Sequence, residues 1–398
     1  MTRTAYDVHS HASVGATTRR DHTVKFTQIT AASALALAAT LALSSCAAPT
    51  TSPSVAASKE PVVNVTVDPA LTGTLTAGGS SAQANAELAW STAFNAQAKG
   101  VTINYDKSQG SGGGVTNWLA GSYDFAGSDA PLNPVQQTAS LTTCGPNGAV
   151  NLPVYLDGVS IIFNLPGVTD LKLTSATLAK IFSLKITTWN DPALAADNVG
   201  AALPATAITT VTRSDGSGTT QNFTNYLSAV QPTIWTNPAS NKWPIPGSSA
   251  QQGGSGVVNT VKAGVGTIGY ADHSAISGQT AAKIQVGTGT DFAEFSQKGA
   301  TNAFTAGAVA VPATIVGDLA QRFDYSKLTA ASVYPIPLIS YQIICKTFKS
   351  PAQGKLVKAF IGFVASDLGQ KITAKNAGSA PIPAAMLVKI QASLKLVK

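Results

Sequence analysis

Three times this chain passes from a β-type stretch, through a turn of glycine and small hydroxyl residues, into a stretch with helical spacing. That recurrence restricts the fold more than any other feature of its 398 residues. The first unit is Thr74-Leu-Thr-Ala-Gly-Gly-Ser-Ser-Ala82, followed by Leu88, Trp90 and Phe94 on a helical stretch. In the second, Val101-Thr-Ile-Asn-Tyr105 leads into Gln109-Gly-Ser-Gly-Gly-Gly114 and then Trp118 and Leu119. The third runs from Ala207-Ile-Thr-Thr-Val211 through Thr212-Arg-Ser-Asp-Gly-Ser-Gly-Thr-Thr220, after which Phe223, Leu227 and Val230 recur at a helical interval. One more strand, Tyr123-Asp-Phe-Ala126, closes on Gly127-Ser-Asp-Ala-Pro131. Units of this kind build a parallel sheet that presents its loops along one edge, where open α/β sheets bind ligands. Each helix start offers unpaired N–H groups and the positive end of a macrodipole, which suits an anion. Arg213 adds a planar five-donor guanidinium that fits a tetrahedral oxyanion.

The rest of the chain reads as a second lobe inserted into the first. Leu152 to Leu165 is strongly apolar and predicts two strands around Asp157-Gly158, where the chain crosses between lobes. Thr174 to Phe182 predicts a helix, Gly253 to Lys262 another, and Thr267-Ile-Gly-Tyr-Ala271 a strand. Residues 288–330 pattern poorly, as short helices and loops. The long β-type run Val333 to Cys345 then returns to the first lobe, with helices after Ser350-Pro351 and after Pro383. Two crossings make a hinged pair: lobe 1 over 73–156 and 333–398, lobe 2 over 157–332. Gly264-x-Gly266-x-x-Gly269 matches a dinucleotide pattern but lies between a helix and a strand, the wrong order for it.

Composition removes several function classes. Charged residues make up 11%, and the net charge of +7 falls to +5 without the first 45 residues. The excess is scattered, so no nucleic-acid partner is expected. Beyond residue 45 the one histidine is His273, which excludes a multi-histidine metal site. There is no Cys-x-x-Cys pair, no full Walker A match and no Gly-x-Ser-x-Gly. We therefore expect no catalytic residues, no metal and no cofactor.

Arg19, Arg20 and Lys25 precede an Ala, Leu, Thr and Ser run from Ile29 to Leu43, a charged region before an apolar one too short for a comfortable membrane span. Met1 to Asp21 is unlike the start of such a leader and points to translation beginning near Val24. Leu43-Ser44-Ser45-Cys46 resembles the lipobox of bacterial lipoproteins, which implies removal of 1–45, acylation of Cys46 and attachment to the outer face of the cell membrane. Residues 46–72, rich in Pro, Ser, Thr, Ala and Val, read as a flexible tether. In an exported chain the two other cysteines, Cys144 and Cys345, suggest a bridge, against the alternative of two separate buried thiols.

Gly110-Ser-Gly-Gly-Gly-Val115, Asp124-Phe-Ala-Gly-Ser-Asp-Ala-Pro-Leu132 and Arg213-Ser-Asp-Gly-Ser-Gly-Thr219 together resemble the phosphate-binding protein of the ABC phosphate importer, the PstS family. Lys185-Ile-Thr-Thr-Trp-Asn-Asp191, Gly266-Thr-Ile-Gly-Tyr270 and Tyr334-Pro-Ile336 add to it, so that the resemblance runs from about Leu75 to the C-terminus. It implies a two-lobed class II periplasmic-binding-protein fold, inorganic phosphate as ligand, membrane permease subunits as partners, and a monomer. It also implies the ligand set: Ser81 and Ala82 through the first loop, Ser111 from the second, Asp129 as the ligand-contacting carboxylate, Arg213, and Ser217, Gly218 and Thr219 at a helix start, with Asp215 pairing Arg213. Where the family has an aromatic in the first loop, this chain has Ala82. A carboxylate facing a dianion works only if the ligand brings a proton, which hydrogen phosphate has and sulfate lacks. The rival readings are a binder of another tetrahedral oxyanion such as sulfate or molybdate, a secreted phosphatase, and a surface lipoprotein that has lost its ligand.

Overall fold

The structure is a computed structural model and describes residues 60–398. The expected leader, the lipidation site at Cys46 and most of the expected tether lie outside the described residues.

An eight-stranded sheet organises the chain. Its strands are β1 (Thr72–Gly79), β2 (Gly100–Asp106), β3 (Phe125–Ser128), β4 (Ala149–Asn164), β5 (Thr209–Arg213), β6 (Ser249–Gln251), β7 (Thr267–Asp272) and β8 (Pro337–Cys345), in the order β2-β1-β3-β8-β4-β7-β5-β6. β2, β1 and β3 are mutually parallel, and so are β7, β5 and β6. The antiparallel pair β4 and β8 joins the two sets.

β4 differs from the expectation of two strands: it is one continuous strand of 16 residues, nearly all buried. It changes partner midway. Up to Gly158 it pairs with β8, and from Val159, which faces Asp272, it pairs with β7. Asp157-Gly158 marks this exchange, and the bare Cα of Gly158 lets the rings of Phe295 and Tyr334 lie against the backbone.

This register brings the ligand-binding ends of both parallel sets to one place. β7 runs against β4 and ends at the exchange point. β3 runs against β8, hence along β4, and its last residue Ser128 faces Tyr341, which faces Pro153. The carboxyl ends of the two sets therefore converge from opposite sides on the middle of the sheet, and the loops beyond them meet.

Helices α1 (Ala84–Gln97), α2 (Gly110–Leu119), α3 (Pro134–Cys144), α4 (Ser175–Phe182), α5 (Gly218–Val230), α6 (Gly253–Ala263) and α7 (Gln297–Gly307) follow in chain order, with α8 (Pro351–Val364), α9 (Asp367–Asn376) and α10 (Ala384–Lys395) after β8. Aromatic packing fixes them. Phe94 of α1 meets Phe360 and Phe363 of α8 edge-on at 5.4 and 5.6 Å between ring centroids. On the other side of the molecule, Phe223 of α5 lies 4.8 Å from Tyr270 of β7 and 4.9 Å from Phe182 of α4. Each fully buried Phe stabilises by roughly 1.5–3 kcal/mol, so the first turn of α5 is held in place by the ring one turn behind it.

Two further differences concern the ends. Residues expected to be tether up to 72 pack on the body from Val63 onward: Val63, Val67 and Leu71 are buried, and Val63 exchanges hydrogen bonds with Asp367. Helix α9 was not expected; its polar sequence carries only Gly369, Gln370 and Thr373 inward. A disulfide joins Cys144 at the end of α3 to Cys345 at the end of β8. Among the described residues no helix is long and apolar enough to cross a membrane.

Candidate functional site

Every strand of the two parallel sets ends at the cleft. Ser80 and Ser81 follow β1, Gly110 and Ser111 lie just past β2, Asp129 follows β3, Asp215 to Thr219 follow β5, Gly253 follows β6, and His273 and Ser274 follow β7. Four helix N-termini, those of α1, α2, α5 and α6, start within these loops. Their unpaired N–H groups and dipoles make the region favourable to negative charge.

The two sides touch. The Gly112 N–H donates to the Gly216 carbonyl at 2.8 Å, and the Asn222 side-chain amide to the Asp129 carbonyl at 2.6 Å. Gly254 N–H reaches Ser81 Oγ at 3.3 Å, and Gln252 the Ser108 carbonyl at 2.8 Å. This is the closed arrangement of the cleft. Gly218 requires its missing side chain: a Cβ there would fall 2.5 Å from Ser111 Oγ and 2.6 Å from Asp129 Cβ. Gly110, at φ +62°, sits against Asp215 in the same way.

Arg213 is buried, and its Nε donates to Asp215 Oδ1 at 2.7 Å while one terminal nitrogen bonds Oδ2. Asp215 also accepts from Gly253 N–H at 3.1 Å. Burial opposes its charge, but the Arg213 guanidinium holds the carboxyl below the ordinary carboxylate range. Two of the guanidinium's five donors are thus fixed on Asp215. Among the described residues no other acceptor takes the remaining three.

The hydroxyls are polarised by the backbone. Ser81 Oγ accepts from Gly254 N–H, Ser111 Oγ from Asp129 N–H at 3.1 Å, and Ser217 Oγ from Thr220 N–H at 3.1 Å. A hydroxyl that already accepts an N–H has its proton free to give. Ser217 also caps α5, leaving the Gly218 and Thr219 N–H groups at the helix start without intrahelical partners.

Asp129 is the one carboxylate at the centre of these donors. Its Oδ1 accepts from Ser80 Oγ at 2.5 Å and from Ser340 Oγ at 2.6 Å, and Oδ2 from Thr219 Oγ1 at 3.3 Å. Burial pushes this carboxyl up from the ordinary range, opposed by the hydroxyls of Ser340 and Ser80 and by the charge of Arg213.

Ser81, Ser111, Asp129, Arg213, Asp215, Ser217, Gly218 and Thr219 are thus brought to one cleft. Ala82 stands differently: it is buried and its N–H, expected to face a ligand, donates to Ser80 Oγ at 3.1 Å. Sequence reasoning passed over Ser80, Ser340 and Asn222. Ser340 had a signal, because Ser340 and Gln342 are alternate polar residues in an otherwise apolar run, and buried polar groups require partners. His273 stacks on Phe295 at 4.1 Å between ring centroids and meets Ser160 Oγ at 3.2 Å. Among the described residues no group of three or more His, Cys, Asp or Glu is placed to hold a metal ion.

Comparison with known proteins gives a consistent picture. The PBP superfamily domain matches residues 64–367. "Phosphate-binding protein PstS 3" of Mycobacterium leprae is 35% identical over 78% of this chain and 83% of its own length. "Phosphate-binding protein PstS 2" of Mycobacterium tuberculosis is 33% identical over 94% of this chain and 100% of its own. Among solved structures, a phosphate-binding protein from Stenotrophomonas maltophilia superposes with a TM-score of 0.63 at 22% identity, covering 81% of this chain and 94% of that one. The high-affinity periplasmic phosphate-binding protein PfluDING, bound with phosphate, gives 0.61 at 21% identity, covering 80% and 93%. These likenesses establish the two-lobed periplasmic-binding-protein fold for the chain.

Proposed function

Because this chain belongs to the PstS family of phosphate-binding proteins, we propose that it captures inorganic phosphate in this cleft and hands it to the permease of an ABC-type phosphate importer. The observation that carries the reading is the polarity of the cleft. Donors surround it, from the Arg213 guanidinium, the hydroxyls of Ser81, Ser111 and Ser217 and the N–H groups of Gly218 and Thr219, while Asp129 Oδ2 faces them as a charged acceptor with only one long bond. Hydrogen phosphate brings both the lone pairs those donors need and the proton that Asp129 needs. Fully ionised sulfate and molybdate would set their own lone pairs against Asp129, at a cost on the order of 10⁴-fold or more in affinity. The ligand set retains Ser81 and its hydroxyl; Ala82 serves through its packing, since its N–H is already given to Ser80.

The two lobes, 73–156 with 333–398 and 157–332, close on the ligand about the paired strands β4 and β8, and the closed form is what the permease recognises. The protein acts outside the cytoplasm as a monomer, held to the membrane by a lipid on Cys46. It performs no chemistry on phosphate. Equilibrium dialysis of the purified protein against radiolabelled phosphate tests the reading. Retention of one phosphate per chain, displaced by unlabelled phosphate but not by sulfate or molybdate, is expected. Displacement by sulfate, or turnover of a phosphomonoester, would contradict it.

A further inference from the structure

Behind Asp129 lies a chain of side chains with a fixed direction. Gln83, fully buried in the turn before α1, donates its amide N–H groups to Ser340 Oγ at 2.6 Å and to the Tyr341 carbonyl at 2.9 Å. The carbonyl can only accept, so it fixes which end of the Gln83 amide faces Ser340. Ser340 Oγ, receiving that N–H, turns its own proton on Asp129 Oδ1 at 2.6 Å. Ser80 repeats the arrangement from the other side: it receives the Ala82 N–H at 3.1 Å and gives its proton to the same Oδ1 at 2.5 Å. Both hydroxyls and Gln83 are essentially without solvent exposure. Oδ1 is therefore saturated by protein donors, whereas Oδ2 has only the long contact to Thr219 at 3.3 Å.

We propose that Ser340, directed by Gln83, and Ser80 are positioning residues for selectivity: they occupy one oxygen of Asp129, favour the ionised carboxylate, and leave its other oxygen to accept the proton of the ligand. The inference rests on the phosphate reading above and adds the residues that make the acceptor work. The ionisable groups around Asp129 are Arg213 of β5, Asp272 at the end of β7, Tyr105 of β2 and, one turn along α1 from Gln83, Glu87. Of these, Arg213 favours the ionised carboxylate and Asp272 opposes it. Glu87, bonded to Gln342 at 2.7 Å, is pushed up to about 8 by burial and carries little charge at neutral pH. Two hydroxyl donors thus work with one guanidinium against burial and one neighbouring carboxyl.

The consequence concerns sulfate. Once Asp129 takes up a proton it becomes a donor, and a fully ionised anion can replace hydrogen phosphate. The test measures phosphate affinity and sulfate competition by calorimetry from pH 5 to pH 8, in wild type, Ser340→Ala, Ser80→Ala and Ser340→Thr. Loss of one hydrogen bond to a charged group moves a carboxyl by about one pH unit. In Ser340→Ala the pH below which sulfate competes should therefore rise by about one unit, with Ser340→Thr restoring the wild-type profile. Ser80→Ala acts on the same oxygen and gives the same readout should Ser340→Ala not fold. A merely structural role would weaken phosphate binding equally at all pH values without moving the onset of sulfate competition. Alanine variants that bind phosphate and exclude sulfate over the wild-type pH range would overturn the positioning role and leave phosphate binding untouched. A wild-type protein that does not bind phosphate would remove the reading beneath it.

Discussion

At the scale of single residues, serine has two opposite tasks in this cleft. Ser81, Ser111 and Ser217 accept from the main chain and have protons to offer outward, whereas Ser80 and Ser340 turn theirs onto Asp129. Gly218 has a task of absence, because its bare Cα is what lets α5 close on Ser111 and Asp129. Inserting a methyl into such a contact costs about 1–3 kcal/mol, so Gly218→Ala should weaken phosphate binding by about 10–100-fold with little change in the melting temperature of the unliganded protein. Calorimetry and a thermal melt check this; unchanged affinity would contradict the closed contact. Arg213 and the helix start at Ser217 were legible in the sequence because spacing places them at one strand end, whereas the pairing of Asp215 with Arg213 was implied by the family resemblance. Ser80 was not told from Ser81, since adjacent residues at a strand end point to opposite sides and only the turn decides which reaches Asp129.

At the scale of elements, β4 and β7 carry the exchange between the two halves of the sheet, and two buried carboxyls meet there. Asp157 at the exchange point accepts from Tyr155, Gly158 N–H and Ser274 N–H, while Asp272 accepts from Ser274 Oγ at 2.6 Å and leaves Oδ1 unpartnered. Burial and, for Asp157, the charge of Asp272 push both carboxyls up; Asp272 moves from its ordinary 3.8 to about 6. A carboxyl raised in the folded state holds its proton more tightly there than in the unfolded chain. Its contribution to stability is therefore complete below the unfolded value and is lost as pH rises through about 6. Asp272→Asn should thus raise the melting temperature relative to wild type at pH 7.5 and much less at pH 4.5, the difference corresponding to roughly 2–3 kcal/mol. A shift independent of pH would contradict this. Phe223→Ala, which removes the ring behind the first turn of α5, should cost about 3–5 kcal/mol in a denaturant melt; a loss under 1 kcal/mol would contradict the packing argument. The apolar run around Asp157-Gly158 was legible as strand, but the sequence could not show that one strand spans both partners, because a buried strand and two short ones have the same composition. Helix α9 was hidden for another reason: its sequence is polar overall and buries only Gly369, Gln370 and Thr373, so no apolar face announces it.

At the scale of the molecule, two parallel sets of strands point their carboxyl ends at each other, and the hydrogen bonds between their loops define the closed form. The disulfide lies away from this cleft: Cys345 is four residues beyond Tyr341 on a strand running away from the end of β3. Closing a loop of 201 residues stabilises by roughly 3–5 kcal/mol. Replacing both Cys144 and Cys345 by serine should lower stability by that amount in a denaturant melt and leave phosphate affinity within about threefold; a large loss of affinity at retained fold would place the bridge in the closing motion. The bridge was expected from cysteine count and export, the parallel strands from the repeated glycine turns, and the periplasmic-binding-protein fold from the family resemblance; the docking of Val63 to Leu71 was not, since scattered valines in a Pro, Ser and Thr segment carry no period. What joins these scales is the Asp129 carboxylate set among many donors. Calorimetric titration of wild type and Asp129→Asn at pH 7.5, first with phosphate and then with sulfate, tests it most directly. Wild type should bind phosphate alone, and Asp129→Asn should lose most phosphate affinity while admitting sulfate; a variant that binds phosphate as wild type does, and still refuses sulfate, would contradict the account.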